Sequence, residues 1–558
     1  MPSAHTSANA AIYFVPEAFT TKGPKLMGRN AAGESFLKGF ARHAAVTDFN
    51  CFVTQRQDAG TFAEEIAAHG RAEPVRSLTA GTLPALETIG ALHYPAPGLA
   101  EGAWHRALFG HHRWSLTGIT HTTASARAMD GLVELLTAPV QPWDAIICTS
   151  TAVRDNVHRL FDAQKEYLAA RLGATRFVAP LTPVIPLGIN TGDFVFSDRD
   201  RQEARTAIGA DADTIVVLFM GRLSFHAKAH PLAMYQALER AGRTLPPNQK
   251  IMLVECGWHA NAAIGEAFAD AAAMACPGVK TVLLDGRVPE SRRTAWASAD
   301  VFCSLSDNIQ ETFGLVPVEA MAAGLPCVVS DWNGYKDTVR DGIDGFRIPT
   351  LAPPPGAALE EAATHALGIG TYDKYCGDTC MLVSVDIGAA ADAFRRLCAD
   401  PGLRRRMGQA GRRQAQERYD WSAIVPRYQA LWAELAVLRQ KTNRGPVLRH
   451  PWPARMEPFS AFATYPTATL TRQTRLALDA PTMAAAVERL AAIEALDMVG
   501  FSHRTQPPPE IRDRILVAAA RGPAPAGELI AEVAPSNQLK ALRAVMRLTK
   551  LGILKVAH

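Results

Sequence analysis

Along the first 190 residues or so, short apolar runs alternate with longer stretches whose apolar positions recur every three or four residues. Ala11 to Val15, Phe49 to Val53, Ser115 to Ile119 and Ala145 to Cys148 are compact apolar runs and read as buried strands; Gly33 to His43 reads as a helix. A second series follows, with strands expected at Thr214 to Met220, Ile251 to Glu255, Thr281 to Leu284, Val301 to Leu305 and Cys327 to Ser330, and helices between them such as Pro231 to Ala241. Strand and helix in regular alternation imply parallel sheets covered by helices, and two series imply two such sheets. The polar stretch Thr191 to Ala212 reads as the linker between them.

Beyond the second series the rhythm changes. A proline-rich interruption, Pro349 to Gly356, opens an insertion that runs to about Cys380. Helices resume at Gly388 to Asp400, Arg404 to Arg418 and Ser422 to Leu438, and the Pro- and Thr-rich region Lys441 to Thr482 reads as a wrapping segment. A helix at Pro481 to Leu496 and a small terminal unit complete the chain. At 558 residues the chain is too long for one core and fits roughly three to four domains. The expected division is residues 1–195, with helices 417–438 packing back on them, 196–416, a linking segment 439–504 with one helix, and a module 505–558.

Hydrophobic residues make up 48% and charged residues 20%, the composition of an ordinary globular protein able to bury a sizeable core. The amino terminus lacks an apolar leader and no apolar run reaches the roughly 20 residues of a membrane span, so a cytoplasmic location is expected. Nine cysteines scattered through apolar runs suggest reduced core thiols. Cys376 and Cys380, with His365 and Cys398 nearby in sequence, form only a weak metal pattern without a second pair. The net charge is +4, and the segment Glu510 to His558, with eight Lys or Arg against four Asp or Glu, accounts for it. Any polyanion binding would therefore belong to the tail.

The chemistry concentrates in the second series. The segment Glu311-Thr-Phe-Gly-Leu-Val-Pro-Val-Glu319 follows a strand, and Pro317 suits the first turn of a helix that Gly324 and Pro326 would end. Such a loop joins a strand's carboxyl end to a helix's amino end, where free N–H groups attract phosphate. Upstream, strand Thr214 to Met220 runs into Gly221-Arg222-Leu223, with Lys228 before the next helix. Two cations at a strand end can stabilise the charge of a departing diphosphate.

Two glutamates separated by seven residues in this setting resemble the hallmark of the family 4 glycosyltransferases, retaining enzymes of the GT-B fold. Asp307-Asn-Ile-Gln, Ala323-Gly-Leu-Pro326, Gly342-Ile-Asp-Gly-Phe346, Val184 to Phe194 and Glu417-Arg-Tyr-Asp-Trp421 are similar to further family text, in the same order. The resemblance spans about residues 11 to 437 and is densest from 214 to 347. It implies two Rossmann-like doubly wound domains facing a cleft. Glu311 would contact the donor sugar's hydroxyls, the backbone of Thr312, Phe313, Gly314 and Leu315 the diphosphate, and Glu319 the ribose. Arg222 and Lys228 resemble the family's phosphate-binding pair, although Ala229-His230 stands where glycine usually follows the lysine. His121, after strand Ser115 to Ile119, resembles a histidine pointed at the donor sugar. Met27 to Glu34, between the first strand and a helix, would bring Gly28 and Gly33 close to substrate. The implied reaction is metal-independent transfer, with retention, from a nucleotide diphosphate sugar, with no other cofactor; the departing phosphate helps to deprotonate the acceptor. Asp198-Arg-Asp200 and Asp211-Ala-Asp213 have the Asp-x-Asp form of metal-dependent transferases, but fall in the polar linker and read as solvated surface.

The terminal unit looks like a small, mainly helical winged-helix module. Leu539, Leu542, Val545 and Leu548 would face its core, while Lys540, Arg543, Arg547 and Lys550 make a basic face. Protein docking or self-association is favoured over nucleic-acid binding there, because the sequence stops before a full wing. Two competing readings are a nucleic-acid-binding regulator that senses a sugar nucleotide, and an epimerase or phosphorylase on the same fold. The motif set favours the transferase over both.

Overall fold

The computed structural model describes residues 8–21, 28–443 and 448–557; Met27 lies outside them. The chain forms two compact units, residues 1–452 and 453–558.

The first unit contains two six-stranded sheets. In the amino-terminal sheet, β1 (Ala11–Tyr13), β2 (Phe49–Phe52), β3 (Val75–Leu78), β4 (Ala91–Tyr94), β5 (Ser115–Ile119) and β6 (Ala145–Ile147) lie in the order β3-β2-β1-β4-β5-β6. In the second, β7 (Thr214–Met220), β8 (Lys250–Gly257), β9 (Lys280–Asp285), β10 (Val301–Ser304), β11 (Cys327–Ser330) and β12 (Gly345–Ile348) lie in the order β12-β11-β10-β7-β8-β9. All pairings within the two sheets are parallel. The two orders are the same permutation: each sheet starts in the middle, winds outward, and returns to the other side of its first strand. That reversal opens a crevice at the carboxyl ends of β1 and β4 in one sheet and of β7 and β10 in the other. The nearly continuous apolar runs of β7 and β10, each with one polar residue at an end, follow from burial on both faces.

The helix Trp421–Lys441 ties the end of this unit to its beginning. The Trp421 ring occupies the space where side chains on Gly39 and Gly188 would stand, and its indole N–H donates to Ser35 Oγ at 2.8 Å. Farther along, Trp432 Nε1 donates to Thr117 Oγ1, and Arg439 to the Gly90 carbonyl and the Ser115 hydroxyl. Deep in the amino-terminal domain, Arg106 and Asp144, both wholly buried, form a two-pronged pair at 2.6 and 2.7 Å. Asp144 also accepts the amides of Leu116 and Gln141, and Arg106 donates to the Trp114 carbonyl.

Several expectations need correction. The segment read as a linker carries the helix Asp198–Ile208, capped by Ser197 and Asp200 in a reciprocal box. Its two Asp-x-Asp runs lie at the surface, with Asp198, Asp211 and Asp213 exposed; there Asp200 pairs with Arg293 and Asp211 with Lys250. Gly28 is the first residue of the helix Gly28–His43, and Gly33 lies inside that helix rather than ahead of it. A side chain at Gly33 would collide with the Ala18 carbonyl, so close packing explains this glycine. The insertion is an ordered excursion. Strands β13 (Thr350–Leu351) and β14 (Ser384–Val385) pair antiparallel at its base, and the helices Leu359–Ala366 and Tyr372–Cys380 lie between them.

In the second unit, β15 (Arg475–Leu478) pairs antiparallel with β16 (Ala524–Pro525) on one side and β17 (Leu554–Val556) on the other. Leu476 of β15 and Leu490 of the helix Met483–Glu494 share a core with Ile515, Leu529, Val545 and Leu554. The segment expected to be a linker thus supplies a central strand and a helix of this core, and residue 505 is not its boundary. In the helix Gln538–Lys550, Ala541, Ala544, Val545 and Leu548 are buried, whereas Leu539 and Leu542 are exposed. Val545 and Leu548 hold their expected places, while Ala541 and Ala544 take the core positions expected of Leu539 and Leu542. Arg547 is pinned to Thr505 Oγ1 and the Val499 carbonyl, so the exposed basic face reduces to Lys540, Arg543 and Lys550. Among the described residues no helix is long and apolar enough to cross a membrane.

Candidate functional site

The switch point of the second sheet gathers the charged groups. β7 ends at Met220, and Gly221 turns the chain with φ of 146°, a conformation that suits glycine. Arg222 and Lys228 follow on a loop that β10's own loop fastens by four hydrogen bonds. The Ser306 hydroxyl reaches the Lys228 carbonyl, Asn308 the His226 carbonyl and Gln310 the Ala227 carbonyl, while Asp307 accepts the His230 amide. These bonds fix the loop's path, and Ala229 on it is buried. Burial pushes the Asp307 carboxyl up to about 7 against the His230 amide.

Lys228 Nζ donates to Glu311 Oε2 at 2.6 Å, with side chains 21% and 11% exposed. Burial alone would raise the Glu311 carboxyl, but the Lys228 ammonium and the amides of Thr312 and Phe313 outweigh it and hold the group below its usual range. Arg222 donates to the Ala227 carbonyl, the same oxygen that Gln310 uses, which brings its guanidinium to the Glu311 loop. The loop is clamped from behind by Asn333, a non-glycine residue at φ of 44°, whose amide donates to the Glu311 carbonyl. Tyr335 OH lies 3.4 Å from Glu311 Oε2 and bonds Ser304.

Gly314, at φ of 87°, starts the helix Leu315–Ala322. Its backbone passes against the Tyr335 ring so closely that a side chain would not fit. The first amides of this helix have no carbonyl partner within it and carry partial positive charge. Glu319 lies further along the same helix. It is half-buried, and among the described residues it has no hydrogen-bond or salt-bridge partner. Burial pushes its carboxyl up to about 7 against the fields of Arg292 and Lys228. The sequence-predicted Arg222, Lys228, Glu311 and the Thr312 to Leu315 backbone are therefore brought together, with Glu319 on the helix they open.

The amino-terminal domain meets the Glu311 loop and the insertion through hydroxyls and an amide, and carries a neutral imidazole next to one of those hydroxyls. Just beyond the end of β5, His121 Nε2 lies 3.1 Å from the Pro95 carbonyl. A carbonyl only accepts, so Nε2 carries the proton and Nδ1 is left as an acceptor. Burial pushes this imidazole down to about 4 against that bond. Beyond β6, the Ser150 hydroxyl donates to the Thr312 carbonyl at 2.7 Å, and the Thr151 amide to Asp337 Oδ2 at 2.6 Å. The Thr122 hydroxyl lies 3.0 Å from Tyr372 OH of the insertion. Gly28 and Gly33, by contrast, belong to the helix described above, where Gly33 packs against the Ala18 carbonyl. Sequence reasoning missed Ser150, Thr122, Asn333, Tyr335 and Tyr372. Only Asn333-Gly334, a turn signal after a strand, announced itself.

All nine cysteines are buried and unpaired. Cys380 Sγ approaches the Phe225 and Gly377 carbonyls, and among the described residues no group of three or more His, Cys, Asp or Glu is arranged to hold a metal ion. A separate concavity of about 410 Å³, lined by Glu255, His259, Phe268 and Leu283 among others, shares none of the residues above.

A phosphatidyl-myo-inositol mannosyltransferase of Mycobacterium leprae is 32% identical over 160 residues, covering 28% of this chain and 33% of its own length. A D-inositol 3-phosphate glycosyltransferase of Xylanimonas cellulosilytica is 26% identical over 308 residues, covering 54% of this chain and 58% of its own. The chain thus spans between a third and three fifths of these two relatives. A crystal structure of Anabaena Alr3699/HepE in complex with UDP aligns over 76% of this chain and 100% of that one, at 16% identity and a TM-score of 0.47. Residues 214–367, which run from β7 through the Arg222, Lys228, Glu311 and Glu319 positions into the insertion, match the family model for glycosyl transferases group 1.

Proposed function

We propose that the protein transfers a glycosyl group from a nucleoside diphosphate sugar, with retention of anomeric configuration and without a metal ion. The observation that carries this reading is the Lys228–Glu311 pair at the second sheet's switch point, within the segment that matches the glycosyl transferase model. Glu319 receives the ribose hydroxyls, and the first amides of the helix Leu315–Ala322 receive the diphosphate. Glu311 accepts from hydroxyls of the sugar. As the bond from the anomeric carbon to the phosphate oxygen breaks, charge grows on the leaving diphosphate, and Arg222 and Lys228 stabilise it. An acceptor hydroxyl attacks the same face and gives its proton to the departing phosphate oxygen. The neutral His121 accepts from a sugar hydroxyl at Nδ1 and orients the ring. With two cations and a helix amino terminus at hand, the phosphate charge is balanced by the protein alone.

The test begins with thermal shift against UDP-glucose, GDP-mannose and ADP-glucose, because a ligand that binds only the folded state raises its melting temperature. Release of nucleoside diphosphate from the stabilising donor is then followed with D-inositol 3-phosphate as first acceptor, since both curated relatives are named for inositol-based acceptors. Glu311→Ala is expected to lower turnover on the order of 10²–10³-fold with an unchanged melting temperature. EDTA is expected to leave the rate unchanged. Activity lost to EDTA and restored by magnesium would contradict the metal-free mechanism.

A further inference from the structure

The insertion between β13 and β14 is built onto the phosphate-side loop. Gly377 of the helix Tyr372–Cys380 lies against His226, where an added side chain would approach His226 Cβ to 2.9 Å. Cys380 Sγ reaches the Phe225 carbonyl on the same loop, and Arg222 is near enough for its charge to act on the Cys376 thiol. Thr371 caps the helix by accepting the Lys374 amide, which sets Tyr372 at the helix's first position. From there the Tyr372 hydroxyl crosses to the amino-terminal domain and meets Thr122 Oγ1 at 3.0 Å, one residue beyond His121. Thr122 Oγ1 is itself held by the Ala124 amide at 3.2 Å. The cleft is thus bonded at two neighbouring strand ends. Ser150 and Thr151 after β6 hold the Glu311 loop and Asp337, and Thr122 after β5 holds the insertion.

We propose that Tyr372 is a positioning residue for glycosyl transfer. Its bond to Thr122 latches the insertion across the cleft and fixes His121 against the donor sugar when the two domains close. This inference rests on the transferase reading above for its chemical consequence, but the latch itself is a physical contact that can be tested without turnover. Donor affinity resides in the second domain, so the latch acts on the closed, reacting arrangement rather than on nucleotide binding. Loss of the bond lowers kcat and leaves the donor KM nearly unchanged.

The experiment compares wild type, Tyr372→Phe, Thr122→Val and the double variant. Hydrogen exchange of the free protein reads the latch, and nucleoside diphosphate release from whichever of UDP-glucose, GDP-mannose or ADP-glucose the wild type turns over reads its consequence. In each single variant the amides of residues 372–380 are expected to exchange faster. The kcat should fall about fivefold, the scale of one hydrogen bond, with the donor KM changing by less than about twofold. The double variant should lose less than the product of the two single losses, because both changes remove the Tyr372–Thr122 bond, while Tyr372→Phe alone also gives up a bond to the Cys376 thiol and Thr122→Val alone the Ala124 amide's acceptor. Unchanged exchange in both single variants would overturn the latch. Faster exchange with an unaltered kcat would overturn the positioning role, and so would additive losses in the double variant. A wild type that turns over none of the three donors would count against the transferase reading, while the exchange result would still decide the latch.

Discussion

Two buried ion pairs, one in each half of the first unit, have similar chemistry and opposite character. Arg106 and Asp144 are wholly buried and meet through two parallel hydrogen bonds; Asp144 accepts two amides besides, and the terminal nitrogens of Arg106 also reach the Trp114 and Pro139 carbonyls. Lys228 and Glu311 meet through one bond, remain partly exposed to the cleft, and leave two ammonium N–H groups beyond the one Glu311 accepts. A pair whose carboxylate oxygens and terminal guanidinium nitrogens are all engaged away from water is cement for a fold. A pair with spare donors at a strand end can exchange its partner for a phosphate or a sugar hydroxyl. Glu255 extends the series: it is 5% exposed, receives a hydrogen bond from Tyr235 OH, and among the described residues has no cation beside it. Burial pushes its carboxyl up to about 7 against that bond.

The largest effect is expected at the closed pair. Asp144→Ala strands a buried guanidinium and two amides, and should destabilise the protein by about 3–5 kcal/mol in urea unfolding. A cost below about 1 kcal/mol would erase the distinction drawn between the two pairs.

The cationless carboxyl should answer to pH. The Glu255 carboxyl rises from 4.5 to about 7 on folding, so the folded state holds its proton more tightly. Wild type therefore carries no ionisation penalty below pH 4.5, gains it as pH rises towards 7, and bears it fully above, at about 3 kcal/mol. Glu255→Gln cannot ionise, and its stability relative to wild type should improve by that amount between pH 4 and pH 8. A difference independent of pH would mean that Glu255 is not held protonated by burial.

How much of this could be read from the sequence depends on what each segment says locally. β7 and β11 stand where the apolar runs placed them, because strands buried on both faces are apolar throughout. β3, β4 and β12 were missed, since Arg76, His93 and Arg347 interrupt runs of only four residues. The helix Asp198–Ile208 was read as linker because only Ala204 and Ile208 are buried on it. β15 was hidden in a Pro- and Thr-rich region, with Leu476 its one buried residue. At the site, Arg222, Lys228 and Glu311 were legible because strand-end loops carry their chemistry in contiguous residues. Tyr372 was not, because its partner Thr122 lies 250 positions away. The Arg106–Asp144 pair was equally invisible, separated by 38 positions.

The smallest of the expected energies bears most directly on the central claim, that the second sheet's switch point binds a nucleoside diphosphate. Among the described residues Arg222 makes a single hydrogen bond, to the Ala227 carbonyl, which leaves its other donors for a phosphate. Calorimetric titration of UDP, GDP and ADP into wild type and Arg222→Ala should show one nucleotide binding the wild type and its Kd rising about thirtyfold in the variant, equivalent to about 2 kcal/mol. Equal affinity in the two proteins, or no binding of any of the three to wild type, would contradict it.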